Sequence, residues 1–162
     1  MTDSWQKPSS LAQIRTIAQS LKHWTGRDLI DGWPLPAATG GTAEEEFAAR
    51  IFHAPFVLVS HGVEPDPVLN YGNQTALTLW EMSWDELTRT PSRLTAEAPN
   101  REERARLLAT VTRQGFIDDY SGIRISRSGR RFRILQATVW NLVTGGDQYA
   151  GQAALFARWE FL

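Results

Sequence analysis

The chain of 162 residues has no cysteine, only three histidines, and no apolar run long enough to span a bilayer. Without cysteine it has no disulfide scaffold, no thiolate nucleophile, no cysteinyl metal site, and no thiol for a flavin adduct. His23, His53 and His61 lack the spacing of a metal or haem site, and we expect His61 in a turn. The polar N-terminus lacks the basic start and apolar run of a signal peptide. We therefore predict a cytoplasmic protein that enters no membrane and binds no metal.

The chain also has no large net charge, since its 17 basic residues are nearly balanced by 18 acidic ones. The balance is uneven, because residues 101–133 contain nine arginines and four acidic side chains, a net +5, and the remainder carries −6. In this stretch arginines alternate with apolar residues, as on a strand with one solvated face. We therefore predict no nucleic-acid partner and an outer-face charge ladder containing Arg124, Arg131 and Arg133. The segment Asp118–Tyr120 is interpreted as pairing with that ladder, and a polar contact to a ligand is the alternative.

What is present is a regular order of helices and strands. A capping residue followed three positions later by Glu or Gln predicts helices from Ser10, Thr42, Ser83 and Asn100, and Asn73 caps another helix. Apolar runs and alternating patterns predict strands over residues 56–60, 68–71, 116–126, 131–143 and 149–161.

This order predicts an α+β fold. The last three strands are joined by hairpins and are antiparallel neighbours, so we expect a five-stranded antiparallel sheet with helices over one face. A linker rich in proline and glycine over residues 25–41 favours a division into N-terminal helices and linker (1–53) and a domain (54–162). The helix over residues 10–24 is amphipathic and must pack somewhere. It either covers the sheet in cis or pairs with a second copy, and we favour a homodimer.

Features of the sheet and its connections mark candidate binding residues. In the long strand the alternation slips, which predicts a bulge or a cover on both faces, and Gln136 or Gln152 could then turn inward. Small residues on the last strand leave space for a ligand or for a closely packed helix. Trp80 and Trp140 are pocket walls in the first case and plain core in the second. Arg93 meets either an anionic ligand or a structural carboxylate.

The local sequence resembles one family. The stretch APFVLVSHGVEPDPVLNYGNQTALTLWEMSWDELTRTPSRLTAE, followed by NREERARLL, GFIDDYSGIRISRSGRRFRI, ATVWNL and GQAALF, is similar to a MEKHLA domain. The preceding WTGRDL is similar to the lead-in of small stand-alone bacterial members. The resemblance covers residues 54–156 and implies a PAS-like fold, a sensory module that holds small ligands between its sheet and its helices. MEKHLA domains also end plant homeodomain–leucine zipper proteins, but this chain has no basic recognition helix and no heptad run. The resemblance implies no particular cofactor, which stays unknown.

We predict a non-catalytic sensory or regulatory module. A small organic ligand binds between the sheet and the helices, against Trp80, Arg93, Gln136, Trp140 and Gln152, and the N-terminal helix or a partner passes on the signal. The alternative is a protein-interaction or dimerisation module whose core is filled by side chains and holds no ligand. An enzyme of similar build is least favoured, because the sequence has no histidine–carboxylate set and adjacent aspartates on a strand face opposite ways.

Overall fold

The computed structural model describes residues 3–30 and 42–162. The helices are α1 (Pro8–Thr25), α2 (Ala43–Phe52), α3 (Gln74–Trp80), α4 (Trp84–Leu87) and α5 (Ala98–Gln114). The strands are β1 (Val57–His61), β2 (Leu69–Gly72), β3 (Phe116–Ile125), β4 (Arg131–Thr144), β5 (Gln148–Phe156) and β6 (Arg158–Phe161). Short 3-10 helices lie at Ser4–Gln6 and Ser92–Thr95. Most of the predicted linker over residues 25–41 lies outside the described residues.

The strands form one antiparallel sheet in the order β2-β1-β5-β4-β3. β6 pairs with the part of β4 that β5 leaves free, so the predicted strand over residues 149–161 is interrupted at Ala157. The predicted α+β fold, with an antiparallel sheet of five to six strands, is confirmed.

Two bulges disturb the pairing of β3 with β4. Asp119 and Gln136 have φ angles of 58° and 54°, a left-handed backbone that non-glycine residues rarely adopt. The register of β3 against β4 shifts on both sides of the Tyr120–Ala137 pair. The bulge predicted from the slipped alternation is therefore confirmed. In a regular strand, residues three apart face opposite sides of the sheet, but the bulge leaves both Ile134 and Ala137 in one buried cluster.

The sheet is covered on both faces. We call the face under α3 and α5 the α5 face, and its buried cluster includes Val57, Leu79, Trp80, Leu107, Val111, Phe132 and Phe156. We call the opposite face the α1 face, and its buried cluster includes Ile14, Ile17, Leu21, Phe47, Ile51, Leu58, Trp140 and Leu142.

The helix starts agree with the sequence pattern except where a proline stands in the first turn. Thr42 and Ser83 accept hydrogen bonds from backbone N–H groups as N-caps, as predicted. The predicted starts at Ser10 and Asn100 are wrong, because α1 and α5 each begin two residues earlier. Both helices carry a proline in the first turn, where its fixed φ suits the helix and its missing N–H costs nothing.

α1 is bound to β4 of the same chain. Hydrogen bonds join them: Trp140 Nε1 donates to Ile17 O at 3.2 Å, Trp24 Nε1 to Asn141 O at 2.9 Å, Val143 N to Ser20 Oγ at 2.9 Å, and Ser20 Oγ to Val143 O at 3.4 Å. The apolar stripe of Ile14, Ile17 and Leu21 is buried in this contact. The stripe that motivated the homodimer is thus covered in cis, and the homodimer stays a prediction.

Ile17→Ala is expected to lower the free energy of unfolding by about 3 kcal/mol, because truncating a fully buried isoleucine leaves a cavity between α1 and the sheet. Urea denaturation measures the loss. The matched control is Gln19→Ala on the exposed side of the same helix, which should change the stability by less than about 0.5 kcal/mol. Equal unfolding midpoints for the two variants would contradict the packing of α1 on the sheet.

Candidate functional site

A cavity of about 70 Å³ lies between the α5 face of the sheet and the helices that cover it. Its wall includes residues of β1 to β5, of α3 and α5, and of the 3-10 helix Ser92–Thr95. One buried water needs at least roughly 10–15 Å³ of such space. The cavity therefore has room for on the order of five waters or one small organic molecule.

Most of the cavity wall is apolar. Trp80 contacts Phe156 edge-to-face, with ring centroids 6.2 Å apart, and Leu107 of α5 joins them in the wall. Ala137 and Ala153 lie on neighbouring strands, and their small side chains leave the space open. The indole Nε1 of Trp80 is buried and has no hydrogen-bond acceptor among the described residues.

Two arginine side chains line the same cavity. Arg124 of β3 is 7% exposed, and it donates from Nη1 to Ile123 O at 2.9 Å and from Nη2 to the Tyr120 hydroxyl at 3.2 Å. Arg104 of α5 donates from Nη2 to Ser92 Oγ at 2.8 Å. Within residues 3–30 and 42–162 neither guanidinium has a carboxylate within 4.0 Å.

The charge of Arg124 acts on Arg104. Burial, reinforced by that charge, lowers the pKa of Arg104 from its usual value to about 10, so Arg104 stays charged at neutral pH. The wall residues in the described part of the chain include no Asp or Glu. Glu103 is close by, but its carboxylate accepts from the Tyr120 hydroxyl at 3.1 Å. The cavity wall therefore carries two positive charges that no lining carboxylate balances.

A chain of buried polar groups leads from the cavity toward α1. His61 was expected in a turn but is the last residue of β1, and its Nε2 lies 3.2 Å from Gln152 Oε1. Gln152 Nε2 donates to Leu108 O at 3.0 Å and to Asn141 Oδ1 at 3.1 Å. The backbone carbonyl of Asn141 is the acceptor of the Trp24 indole of α1. Hydrogen bonds thus connect the cavity wall with the opposite face of the sheet.

The stability of the protein is expected to fall between pH 7.5 and pH 5.5. Burial lowers the pKa of His61 below 6.5; Arg104 acts in the same direction, and the hydrogen bonds to Gly62 and Gln152 and the charge of Glu64 oppose it. The unfolded chain then binds more protons than the folded one near pH 6, so stability is present at high pH and is lost as pH falls.

Urea denaturation at both pH values tests this expectation. The difference in unfolding free energy should be smaller in His61→Gln than in the wild type. The control is the exposed residue His53, and His53→Gln should keep the wild-type difference. An unchanged pH dependence in His61→Gln would contradict the assignment.

Of the five residues predicted to bind a ligand, the cavity brings together Trp80 and Gln152. Arg93 does not line the cavity. Its Nε donates to the carboxylate of Asp66 at 3.2 Å on the surface, which is the structural-carboxylate alternative.

The bulge in β4 explains where the other two predicted residues lie. The Gln136 side chain is exposed and accepts from Arg158 Nη1 at 3.2 Å. Beyond the bulge the alternation continues with the opposite phase, so Val139 lines the cavity and Trp140 lies on the α1 face. Neither Gln136 nor Trp140 contributes to the cavity wall.

The predicted charge ladder is wrong for Arg124. Arg131 and Arg133 do form surface ion pairs, with Glu97 and Glu160. Arg124, however, pairs with Phe132 across β3 and β4 and so shares its face of the sheet. The expected pairing of Asp118 with the ladder is also wrong, because Asp118 accepts from Arg27 at 2.9 Å.

Arg104 is a further cavity residue that the sequence interpretation missed, and Tyr120 is one that it gave only as the alternative of a polar contact to a ligand. For Arg104 a signal existed, since Leu107, Leu108 and Val111 follow it at spacings of three, four and seven residues, which places Arg104 on the apolar side of α5. For Tyr120 no pattern was available, because the bulge at Asp119 determines which way its side chain faces.

Sequence comparison identifies similar proteins along nearly the whole chain. The model of the MEKHLA domain family matches residues 11–161. Homeobox-leucine zipper protein ATHB-14 from Arabidopsis thaliana is 25% identical over 157 residues, and ATHB-9 from the same plant is 26% identical over 156 residues. Each match covers 96% of this chain, and this chain spans 18% of the length of those relatives.

Structural comparison agrees with the described topology. The PAS domain of a protein from Colwellia psychrerythraea superimposes with a TM-score of 0.60 at 13% identity, over 68% of this chain and 92% of that one. A light-oxygen-voltage domain studied with a flavin analogue gives a TM-score of 0.57 at 14% identity, over 72% and 84% of the two chains. These matches show a PAS-like fold.

Among the described residues, no helix combines the length and the apolar character that crossing a bilayer requires. The same residues also contain no group of three or more His, Asp or Glu side chains placed to hold a metal ion.

Proposed function

The chain belongs to the MEKHLA domain family, whose model matches residues 11–161, and from this premise we propose that it is a non-catalytic, PAS-like sensory module that binds a small organic ligand in the cavity under α5. The observation that carries the proposal is the cavity itself. A core built only for stability is close-packed, and voids larger than a water are few. Here the core leaves about 70 Å³ open, within a mostly apolar wall that also contains Arg104, Arg124 and Gln152.

The size of the cavity limits the ligand. Pockets for drug-sized molecules measure roughly 300–1,000 Å³, so a cavity of about 70 Å³ does not fit a flavin. The chain also has no cysteine to form a flavin adduct. The ligand is therefore a molecule of few non-hydrogen atoms, held against Trp80 and Gln152.

The hydrogen bonds from Gln152 through Asn141 to Trp24 give a route from the ligand to α1. A ligand that contacts Gln152 changes the alignment of Asn141, whose carbonyl holds the indole of Trp24. Ligand binding is then expected to slow amide hydrogen exchange in α1. If a bound ligand leaves amide hydrogen exchange in α1 unchanged, the proposal that α1 receives the signal is contradicted.

Native and denaturing mass spectrometry of the purified chain test whether a ligand is bound. The proposal expects a mass excess in the native spectrum that disappears on denaturation. Equal masses, together with a melting temperature that small organic acids, amides and alcohols leave unchanged, would contradict the proposal and favour a protein-interaction module with no ligand.

Sedimentation of the same preparation tests the homodimer, which α1 no longer explains. A dimer at micromolar concentration would support an interface elsewhere on the chain, and a monomer would exclude the homodimer. The cytoplasmic location and the stand-alone bacterial type remain predictions.

A further inference from the structure

We infer that the cavity takes a small organic anion, a monocarboxylate with a short apolar body, and that Arg104 and Arg124 bind its carboxylate. The inference rests on the proposed function and names the chemistry of its ligand. It is carried by the juxtaposition of two guanidinium groups in one small cavity whose described wall residues include no carboxylate.

Unpaired buried charges are costly, and proteins pair them or leave them for a ligand. Arg124 is 7% exposed, and Arg104 is half-buried with its pKa lowered by burial. Each guanidinium has five N–H donors. Hydrogen bonds with the described residues use two donors of Arg124 and one of Arg104. Several donors of both groups are therefore available to an anion in the cavity.

The carboxylates outside the cavity are already engaged. Glu103 accepts from the Tyr120 hydroxyl, and Asp66 pairs with Arg93 on the surface. Neither carboxylate is part of the cavity wall, and the charge of Asp66 only partly offsets the lowering of the Arg104 pKa. An anion entering the cavity would thus relieve the repulsion between Arg104 and Arg124 without displacing an ion pair.

The rest of the wall determines which group is attached to the carboxylate of the ligand. Leu107, Val139 and Phe156 are apolar and close the space around the two guanidiniums. A carboxylate is planar and accepts paired hydrogen bonds from arginine. A short aliphatic chain on that carboxylate fills the apolar part, whereas inorganic phosphate leaves this part empty. The volume of about 70 Å³ admits butyrate and excludes sugar phosphates and nucleotides.

Calorimetric titration of the full chain with butyrate tests the inference, with butyramide as the uncharged analogue of the same shape and phosphate as the anion without an apolar body. Butyrate should bind at least tenfold more tightly than either. Arg104→Gln and Arg124→Gln should each weaken butyrate binding at least tenfold. The matched control Arg133→Gln removes the same charge from the outer surface and should bind butyrate as the wild type does.

Stability separates a ligand-binding role from a structural one. Removing one of two neighbouring unpaired charges relieves repulsion, so ligand-free Arg104→Met should melt no lower than the wild type while butyrate no longer raises its melting temperature. If Arg124→Gln does not fold, Arg124→Lys keeps the charge and should retain weaker butyrate binding. A large loss of stability in Arg104→Met would assign Arg104 to the core and overturn the inference.

The failure of this inference differs from the failure of the proposed function. Butyramide that binds as tightly as butyrate, or a neutral molecule in the native mass spectrum, would contradict the claim that the ligand is an anion. The proposal of a sensory module would still stand. Phosphate that binds more tightly than butyrate would contradict the claim that the ligand has an apolar body. No binding of any probe and no mass excess would overturn both.

Discussion

Gly151→Ala is expected to lower the free energy of unfolding by at least about 4 kcal/mol. Gly151 has a φ of 120°, a conformation that L-amino acids with a side chain rarely adopt. A Cβ at this position would also overlap the backbone carbonyl oxygen of His61 on β1. Neither backbone can move easily, because β1 and β5 are paired along the length of β1.

Urea denaturation measures the loss, and Gly146→Ala is the matched control. Gly146 has a φ of 98° in the turn between β4 and β5, but a Cβ there meets open space. Its substitution carries only the backbone cost, about 1–2 kcal/mol. Equal losses for the two variants would show that close approach to His61 contributes nothing.

Asn73→Ala is expected to lower the free energy of unfolding by about 4 kcal/mol. The side chain is fully buried, and its Oδ1 accepts from Leu58 N at 3.1 Å and Ala76 N at 3.2 Å. Its Nδ2 donates to Ile51 O at 3.1 Å and Phe56 O at 2.8 Å. Alanine would leave four backbone groups without this partner, and each buried group that water cannot reach costs about 1–3 kcal/mol.

Thr42→Ala is the control for Asn73, because Thr42 caps α2 at an exposed position, where its hydroxyl accepts from Glu45 N and donates to the Glu45 carboxylate. It should lower the unfolding free energy by about 1 kcal/mol. Thermal and urea denaturation of both variants give the comparison. A loss at Asn73 no larger than at Thr42 would mean that capping α3 is its whole contribution.

Asn73 also shows which hydrogen bonds can be predicted from the sequence and which cannot. Its position before a helical pattern predicted the cap of α3, which is a local interaction. The hydrogen bonds to Ile51 and Phe56 join segments that are distant in the pattern, and no local rule identifies them. The strands and helices were predictable for the same reason as the cap, because apolar periodicity is local.

The candidate site was less predictable, and the bulges are the cause. Asp119 and Gln136 have positive φ angles that neither residue type requires, so the sequence does not fix their positions. Each bulge reverses which side chains face the cavity further along its strand. Strict alternation therefore placed Trp140 in the wall, and the interpretation of the arginines as a solvated face placed Arg124 outside, whereas Gln152, given as one of two residues that turn inward, lines the cavity.

The bulge at Asp119 also affects how the sheet ends. β3 is an outer strand of the sheet, with β4 as its only partner among the described residues, and an outer strand can template pairing with another chain. Asp119 twists the middle of β3 out of regular pairing, and Asp118 beside it carries a charge in an ion pair with Arg27. An edge strand of a second copy that paired with β3 would meet an irregular backbone and the charged side chain of Asp118. β3 is thereby a poor template for edge-to-edge pairing with a second copy.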